Sequence, residues 1–190
     1  MEAHHYCKMV DYGLFQCAIF DGNTDDAKLI GLEYIISEAR FNALDEAEQL
    51  YWHPHNYEIF GGQLVAPTME EEAELEFMRT QLLNSYGKTW HTWHTGRPDG
   101  QGQAGDELPV GPAMLQWSFN RDGEADDSLV ESRNERLDID MEAKREARQA
   151  FAGEAHPQEG VDALAYAFPD AAAAPPPGVE DSVNARQQTE

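Results

Sequence analysis

Two short segments near the beginning of the chain carry the residue pattern of β-strands. Leu14–Phe20 is largely apolar and ends at the turn signal Asp21-Gly22-Asn23. Leu29–Ile36 is rich in β-branched and aromatic residues. Further strands are predicted at 63–66, 88–95 and 113–119. The first part of the chain therefore predicts a β-sheet.

Apolar residues at helical spacing predict a small number of helices. Ser37 is a suitable N-cap for a helix at 38–51, in which apolar residues recur every three or four positions. An acidic helix is predicted at 69–85, and a charge-rich helix with a thin apolar stripe at 129–151. Strands interspersed with few helices predict an α+β fold, with a largely antiparallel sheet and two or three packed helices.

Composition divides the chain into a body and a tail. The Trp and Cys residues all lie before residue 120, and the end of the chain is rich in Ala, Pro and acidic residues. We predict a single domain at 1–151 and a low-complexity acidic tail at 152–190. From about residue 170 the tail is expected to be disordered, because it has too little apolar surface to offset its ordering entropy.

The charge of the chain excludes several classes of partner. A formal net charge of -23 argues against nucleic acid and against anionic lipid headgroups, which both attract basic proteins. No apolar run approaches the roughly 18 residues of a transmembrane helix, and no signal peptide is visible. Cys7 and Cys17 do not make a disulfide framework at this length. We therefore expect a soluble, cytoplasmic protein with reduced thiols.

The segment Trp52-His53-Pro54-His55-Asn56-Tyr57-Glu58 contains two imidazoles and a carboxylate. Pro54 disfavours helical geometry at His53, because its ring clashes with the preceding residue. If the segment is extended, His53, His55 and Tyr57 share one face and Glu58 lies on the other. These side chains could begin a metal or acid–base site, or the histidines could cap carbonyl groups in a loop.

Glu33 is an unexpected residue within the apolar segment Leu29–Ile36. If that strand is central, both its faces are covered and the carboxylate needs a partner, because desolvation would raise its pKa. We therefore predict that Glu33 is buried close to a histidine or to a shared metal. The alternatives are an exposed Glu33 at a sheet edge, or a pair with Lys88 or Arg79.

Two further pairs of histidines could contribute to such a site. On a strand His91 and His94 face opposite sides, as do His4 and His5, so each pair supplies at most one side chain. These ligand types suit a divalent metal such as Zn or Fe. The full set of candidate ligands is His4, His5, Glu33, His53, His55, Glu58 and His91.

Five sequence blocks resemble the oil body-associated proteins, a family of plant seeds with relatives in fungi and bacteria. They are EAHHYC (2–7), QCAIFD (16–21), AKLIGLEYIIS (27–37), LYWHPHNYE (50–58) and YGKTWHTW (86–93), in the family's order. A later LPVGP (108–112) matches the family's LPLG-type turn. The chain departs from the family at Pro54, where Ser or a similar residue is usual, and it begins almost at the first block.

The resemblance implies association with seed oil bodies in the plant members. It does not supply a reaction, since no enzymatic activity is generally assigned to the family. The expected function is that of a lipid-droplet- or stress-related protein, peripheral on droplets, with the droplet surface or a droplet protein as its partner. Attachment would be peripheral because the sequence has no long apolar hairpin. The alternative is an enzyme or small-molecule binder that uses the His/Glu site and a divalent metal.

Overall fold

The computed structural model describes residues 2–96, 105–116, 118–120 and 123–158. Within these residues, the strands form one antiparallel sheet in the order β1-β2-β3-β5-β4, and β6 also pairs with β5. The strands are β1 (His4–Asp11), β2 (Leu14–Phe20), β3 (Leu29–Ile36), β4 (His53–Pro54), β5 (Tyr86–His91) and β6 (Met114–Gln116). The predicted α+β fold with a largely antiparallel sheet is confirmed.

The helices are shorter and more numerous than the sequence pattern predicted. They are α1 (Glu38–Phe41), α2 (Glu46–Gln49), α3 (Asn56–Phe60), α4 (Glu71–Phe77), α5 (Asp127–Leu137) and α6 (Met141–Arg148). A π-helical turn at Met78–Leu82 continues α4, and a 3-10 helix at Gln149–Glu154 follows α6. No helix in the described part of the chain is long and apolar enough to cross a membrane.

Several predicted element bounds differ from the structure, including the strands predicted at 88–95 and 113–119, which are β5 (Tyr86–His91) and β6 (Met114–Gln116). The helix at 38–51 is two separate helices, because Asp45 caps α2 by accepting a hydrogen bond from the Glu48 amide. The helix at 129–151 breaks at Asp138, which has a positive φ of 52°, and Asp140 caps α6. Residues 63–66 form a loop instead of a strand.

The two faces of the sheet differ in their environment. The inner face contributes Phe15, Cys17 and Ile35 to the main core, which also contains Ile59, Phe60, Met78, Leu82 and Phe151. On the outer face a smaller cluster of Ile36, Phe41, Trp52 and Tyr86 covers one end. Elsewhere the outer face exposes apolar side chains, namely Tyr6, Leu32 and Tyr34. The Glu33 side chain belongs to the buried inner face.

A disulfide joins Cys7 to Cys17. The expectation of reduced thiols was therefore wrong for this structure. The two residues are direct partners in the register of β1 and β2, with their Cα atoms 4.0 Å apart. A sequence separation of ten residues does not reveal this, because it depends on the length of the hairpin turn.

The described residues pack against the body of the protein as far as Gln158. This residue is fully buried, and it contacts the backbone of both Asn56 and Ser85. The disordered tail predicted from about residue 170 lies outside the described residues.

Candidate metal centre

Glu33 occupies the middle of β3 and is only 3% exposed. In the register of the sheet it lies between Cys17 of β2 and Thr89 of β5, and these side chains share its face. The Thr89 hydroxyl donates a hydrogen bond to Glu33 Oε1 over 3.0 Å. One hydroxyl does not compensate for a buried negative charge, so the carboxylate needs further partners.

His5 reaches the other oxygen of this carboxylate from β1. Its Nδ1 lies 2.9 Å from Glu33 Oε2, and its side chain is 31% exposed. The alternation of the strand directs His4 to the opposite face, where it pairs with Glu2 over 2.7 Å. His5 is therefore the member of this pair that contributes to the site.

His53 and His55 approach Glu33 Oε1 from the junction of β4 and α3. His53 pairs with Gly87 in the sheet, and its Nε2 lies 3.3 Å from Glu33 Oε1. His55 is the N-cap residue of α3, and its Nε2 lies 3.6 Å from the same oxygen. We refer to Glu33, His5, His53 and His55 as the Glu33 cluster.

The prediction of an extended segment was correct only for its first residues. His53 and Pro54 form β4, but the chain becomes helical from Asn56, so Tyr57 does not share a strand face with the histidines. Both imidazoles nevertheless meet Glu33, because the turn into α3 redirects the His55 side chain.

Gly87 leaves an open position between the three side chains. A Cβ atom built there would lie at most 2.6 Å from each of Glu33 Oε1, His53 Nε2 and His55 Nε2. Real Cβ atoms do not approach polar atoms so closely, whereas metal ions bind oxygen and nitrogen at about 2.0–2.2 Å. The point above the Gly87 Cα atom is thus surrounded by three potential ligand atoms.

The hydrogen bonds of Ser85 set the protonation of His55. The Ser85 hydroxyl donates to the Leu82 carbonyl over 2.6 Å, so it must accept its 2.8 Å hydrogen bond from His55 Nδ1. A neutral His55 then carries its proton on Nδ1 and presents a lone pair at Nε2, towards Glu33. An imidazole oriented in this way by a hydrogen bond at its other nitrogen is typical of metal-binding histidines.

The pKa values of Glu33 and His5 are shifted in opposite directions. Burial alone would raise the pKa of Glu33 and lower that of His5, because it penalises the charged form of each. Their mutual attraction and hydrogen bond outweigh burial, with smaller contributions from His53 and His55 to Glu33 and from Glu58 to His5. The Glu33 pKa is therefore well below its ordinary range and the His5 pKa is raised, so Glu33 is an ionised carboxylate.

Three of the sequence candidates lie outside the Glu33 cluster. His4 faces away, and Glu58 acts on His5 through its charge without joining the group of ligand atoms. His91 is buried on the inner face, where burial is the main cause of its lowered pKa. Two surface cavities lie beside α4, one of about 480 Å³ next to α6 and one of about 680 Å³ next to the 3-10 helix at Gln149–Glu154, and no cluster residue lines either.

Sequence reasoning missed four residues that shape the site, namely Cys17, Ser85, Gly87 and Thr89. Gly87 had a usable signal, since a glycine inside a strand often marks a close approach. The Ser85 and Thr89 hydroxyls had no such sequence signal, because their contacts with the site depend on which strands pair. Cys17 lies close enough to His5 and Glu33 to form a second group of potential ligands.

Comparison with known proteins identifies the family. Residues 1–152 match the family described as Protein of unknown function (DUF1264). The chain is 33% identical over 165 residues to oil body-associated protein 1B of Arabidopsis thaliana, a match that covers 87% of this chain and 64% of the relative. It is 34% identical over 167 residues to oil body-associated protein 1A of Zea mays, covering 88% and 66% respectively.

A third relative, oil body-associated protein 2B of Arabidopsis thaliana, is 37% identical over 155 residues, covering 80% of this chain and 60% of the relative. The chain thus spans about two thirds or less of the length of these relatives. No solved structure matches it. The extent of the family match and the agreement among these relatives show that the chain belongs to the oil body-associated protein family.

Proposed function

We propose that this protein binds one divalent transition-metal ion through Glu33 Oε1, His53 Nε2 and His55 Nε2. The observation that carries the proposal is the open position at Gly87, which is close to all three ligand atoms. A purely structural role for Gly87 does not explain why two imidazoles and a carboxylate surround the position that a side chain would occupy. A metal ion explains all four residues together.

The separations of the ligand atoms support a tetrahedral site. Bonds of about 2.0–2.1 Å at tetrahedral angles place neighbouring ligands about 3.4 Å apart. The distances from Glu33 Oε1 to His53 Nε2 and to His55 Nε2 are 3.3 and 3.6 Å. Both are long for a hydrogen bond, and both fit two ligands of one ion.

The ligand types favour a divalent metal such as Zn or Fe. Two histidines and one glutamate are found at catalytic zinc sites, and two histidines with one carboxylate also hold non-haem Fe(II). Three protein ligands leave a coordination position for water or a small molecule. His5 is then a positioning residue, because its bond to Glu33 Oε2 fixes the carboxylate.

The competing explanation is an ion pair between His5 and Glu33 without a metal. That pair accounts for the buried charge of Glu33 through Oε2. It does not account for His53 Nε2 and His55 Nε2, which both face the other oxygen, Oε1, over 3.3 and 3.6 Å around the open position at Gly87. A cation bound to Oε1 explains why both imidazoles converge there.

Metal analysis of purified protein tests the proposal. Chelator-treated, oxidised protein is incubated with Zn²⁺, or with Fe²⁺ under anaerobic conditions, then desalted and analysed by mass spectrometry of the elements. We expect about one retained ion per chain, and its loss in His53→Gln and Glu33→Gln. His156→Gln is the control, because His156 pairs with Glu38 on the surface. Equal retention by wild type and His53→Gln would contradict the proposal.

A second candidate function is peripheral association with lipid droplets or their proteins. The names of the relatives describe association with oil bodies. The outer face of the sheet adds a specific observation, since Tyr6 of β1 and Leu32 and Tyr34 of β3 are 57%, 37% and 43% exposed on the two strands that flank β2. We propose this face as the contact surface, because its apolar side chains can enter the boundary between headgroups and acyl chains.

Flotation with triacylglycerol droplets coated by zwitterionic phospholipid tests this second candidate. We expect the triple variant Tyr6→Glu, Leu32→Glu, Tyr34→Glu to bind droplets less than wild type. Tyr12→Glu is the control, because Tyr12 is highly exposed at the hairpin between β1 and β2. Unchanged flotation of a folded triple variant would exclude this face.

A further inference from the structure

The Cys7–Cys17 disulfide lies next to the Glu33 cluster. Cys17 is the direct partner of Glu33 in the pairing of β2 with β3, and it is 5% exposed on the same face. The ligand atoms of His5, Cys17 and Glu33 all lie within 4.8 Å of one another. The disulfide sulfur of Cys17, an imidazole and a carboxylate therefore lie together beside the proposed metal position.

Glu33 presents its two oxygens to different groups of side chains. Oε1 faces His53 and His55, whereas Oε2 faces His5 over 2.9 Å. A carboxylate can donate one oxygen to each of two metal ions. The second oxygen is therefore available to another ion without loss of the first site.

We infer that reduction of the Cys7–Cys17 disulfide creates a second divalent metal site formed by Cys17 Sγ, His5 Nδ1 and Glu33 Oε2. The inference rests on the proposed function through Glu33, which bridges the two ions. Zn²⁺ suits this mixture of sulfur, nitrogen and oxygen ligands. Since the sulfur is bonded to Cys7 in the oxidised protein, the second site forms only when that bond is broken.

The redox step needs a dithiol reductant. The reductant supplies two electrons and two protons, the S–S bond breaks, and Cys7 and Cys17 become thiols while the reductant becomes a disulfide. Metal binding then releases the Cys17 thiol proton and any proton on His5 Nδ1 to solvent. Breaking the bond also frees Cys17 to rotate towards the ion. Access is provided by Cys7, which is exposed on the edge strand β1.

Titration with Co²⁺ distinguishes the two sites. In oxidised wild type we expect one equivalent with d–d absorption and no thiolate-to-cobalt charge-transfer band. We then reduce the protein with a phosphine instead of a dithiol, because a phosphine adds no thiol that could itself give the band. After this reduction we expect a second bound equivalent of Co²⁺ and the charge-transfer band. Two serine variants provide matched controls, because each removes the disulfide but only one retains the proposed ligand.

Cys7→Ser should show the charge-transfer band without any reductant, and Cys17→Ser should never show it although Cys7 is then a free thiol. Absence of the band in both reduced wild type and Cys7→Ser, with the first equivalent present, would overturn the second site alone. A charge-transfer band in Cys17→Ser equal to that in Cys7→Ser would also overturn it. Absence of the first equivalent in oxidised wild type would instead contradict the proposed function.

Discussion

The proposed metal position depends on Gly87 having no side chain. A Cβ atom there would occupy the space between Glu33 Oε1 and the two imidazole nitrogens. The contacts would be with the ends of side chains, which can turn aside, so the backbone of β5 can remain in place. Gly87 therefore allows the metal position to be blocked while every ligand residue is kept.

Gly87→Ala is predicted to abolish metal retention. The added methyl group fills the metal position, and the resulting overpacking should lower the stability of the metal-free protein by about 1–3 kcal/mol. Retained Zn²⁺ and the free energy of unfolding in urea measure the two effects. Gly153→Ala is the control, because among the described residues no atom outside its chain neighbours and its own helical backbone lies within 4 Å of the added Cβ. Normal retention of Zn²⁺ by Gly87→Ala would place the ion elsewhere.

The ion pair of His5 and Glu33 predicts a pH dependence in the metal-free protein. The His5 pKa is raised above 6.5, so its contribution to stability is fully present below that pH and is lost as the pH rises through the folded-state pKa. The Glu33 pKa is lowered well below 4.5, so its contribution is present above that pH and is lost on further acidification. The pair therefore stabilises the fold most between these two values.

Chemical unfolding of wild type and His5→Gln at two pH values, with a chelator present, tests the pH dependence of the His5–Glu33 ion pair. The destabilisation caused by His5→Gln should be larger near pH 5.5 than near pH 8.5, because the wild-type imidazole loses its charge as the pH rises through its raised folded-state pKa. A destabilisation that is larger at the higher pH would contradict a stabilising charge on His5.

At the scale of the elements, the sequence predicted strands better than helices. β2 and β3 have the predicted bounds. Each is a largely apolar segment that lies between clear turn signals, so its ends could be read from the sequence. The helix expected at 129–151 divides at Asp138 because Asp140 offers a competing N-cap. The site could be predicted only as a set of residues, because the convergence of β1, β3 and β4 depends on strand order.

Helix α6 is attached to the body mainly by polar contacts. Arg148 is 1% exposed, and it donates to the carbonyls of Ile59 and Leu64 over 2.7 and 2.9 Å. It also pairs over 3.2 Å with Glu74 of α4, a buried carboxylate that Lys144 contacts as well. An apolar stripe on 129–151 could not reveal this attachment, because an arginine is usually assigned to the surface.

Arg148→Met is predicted to destabilise the protein by about 3–5 kcal/mol, because it leaves two buried carbonyls without a donor and leaves the buried Glu74 with Lys144 as its remaining cationic partner. The free energy of unfolding in urea measures this loss. Arg79→Met serves as the comparison, since its pair with Glu154 is exposed and should contribute little. Similar losses of unfolding free energy in the two variants would show that the buried contacts of Arg148 contribute no more to stability than an exposed ion pair.

At the scale of the whole molecule, the last described residues contact the start of α3, next to His55. Gln158 Oε1 accepts a hydrogen bond from the Asn56 amide over 2.9 Å, and its Nε2 donates to the Ser85 carbonyl over 3.0 Å. Asn56 begins α3 directly after His55, and Ser85 holds the His55 ring. A residue near the end of the body thus supports the orientation of a proposed ligand.

Gln158→Ala is predicted to lower both stability and metal retention. The substitution leaves a buried amide and a buried carbonyl without their side-chain partner, which should cost about 2–4 kcal/mol in total. The Ser85 backbone would then be less fixed, so His55 should bind the ion more weakly. Urea unfolding of the chelated protein and Zn²⁺ titration measure the two effects separately. Gln149→Ala, at an exposed position, should change neither. If Gln158→Ala lost stability but bound Zn²⁺ with wild-type affinity, the end of the body would support the fold without supporting the site.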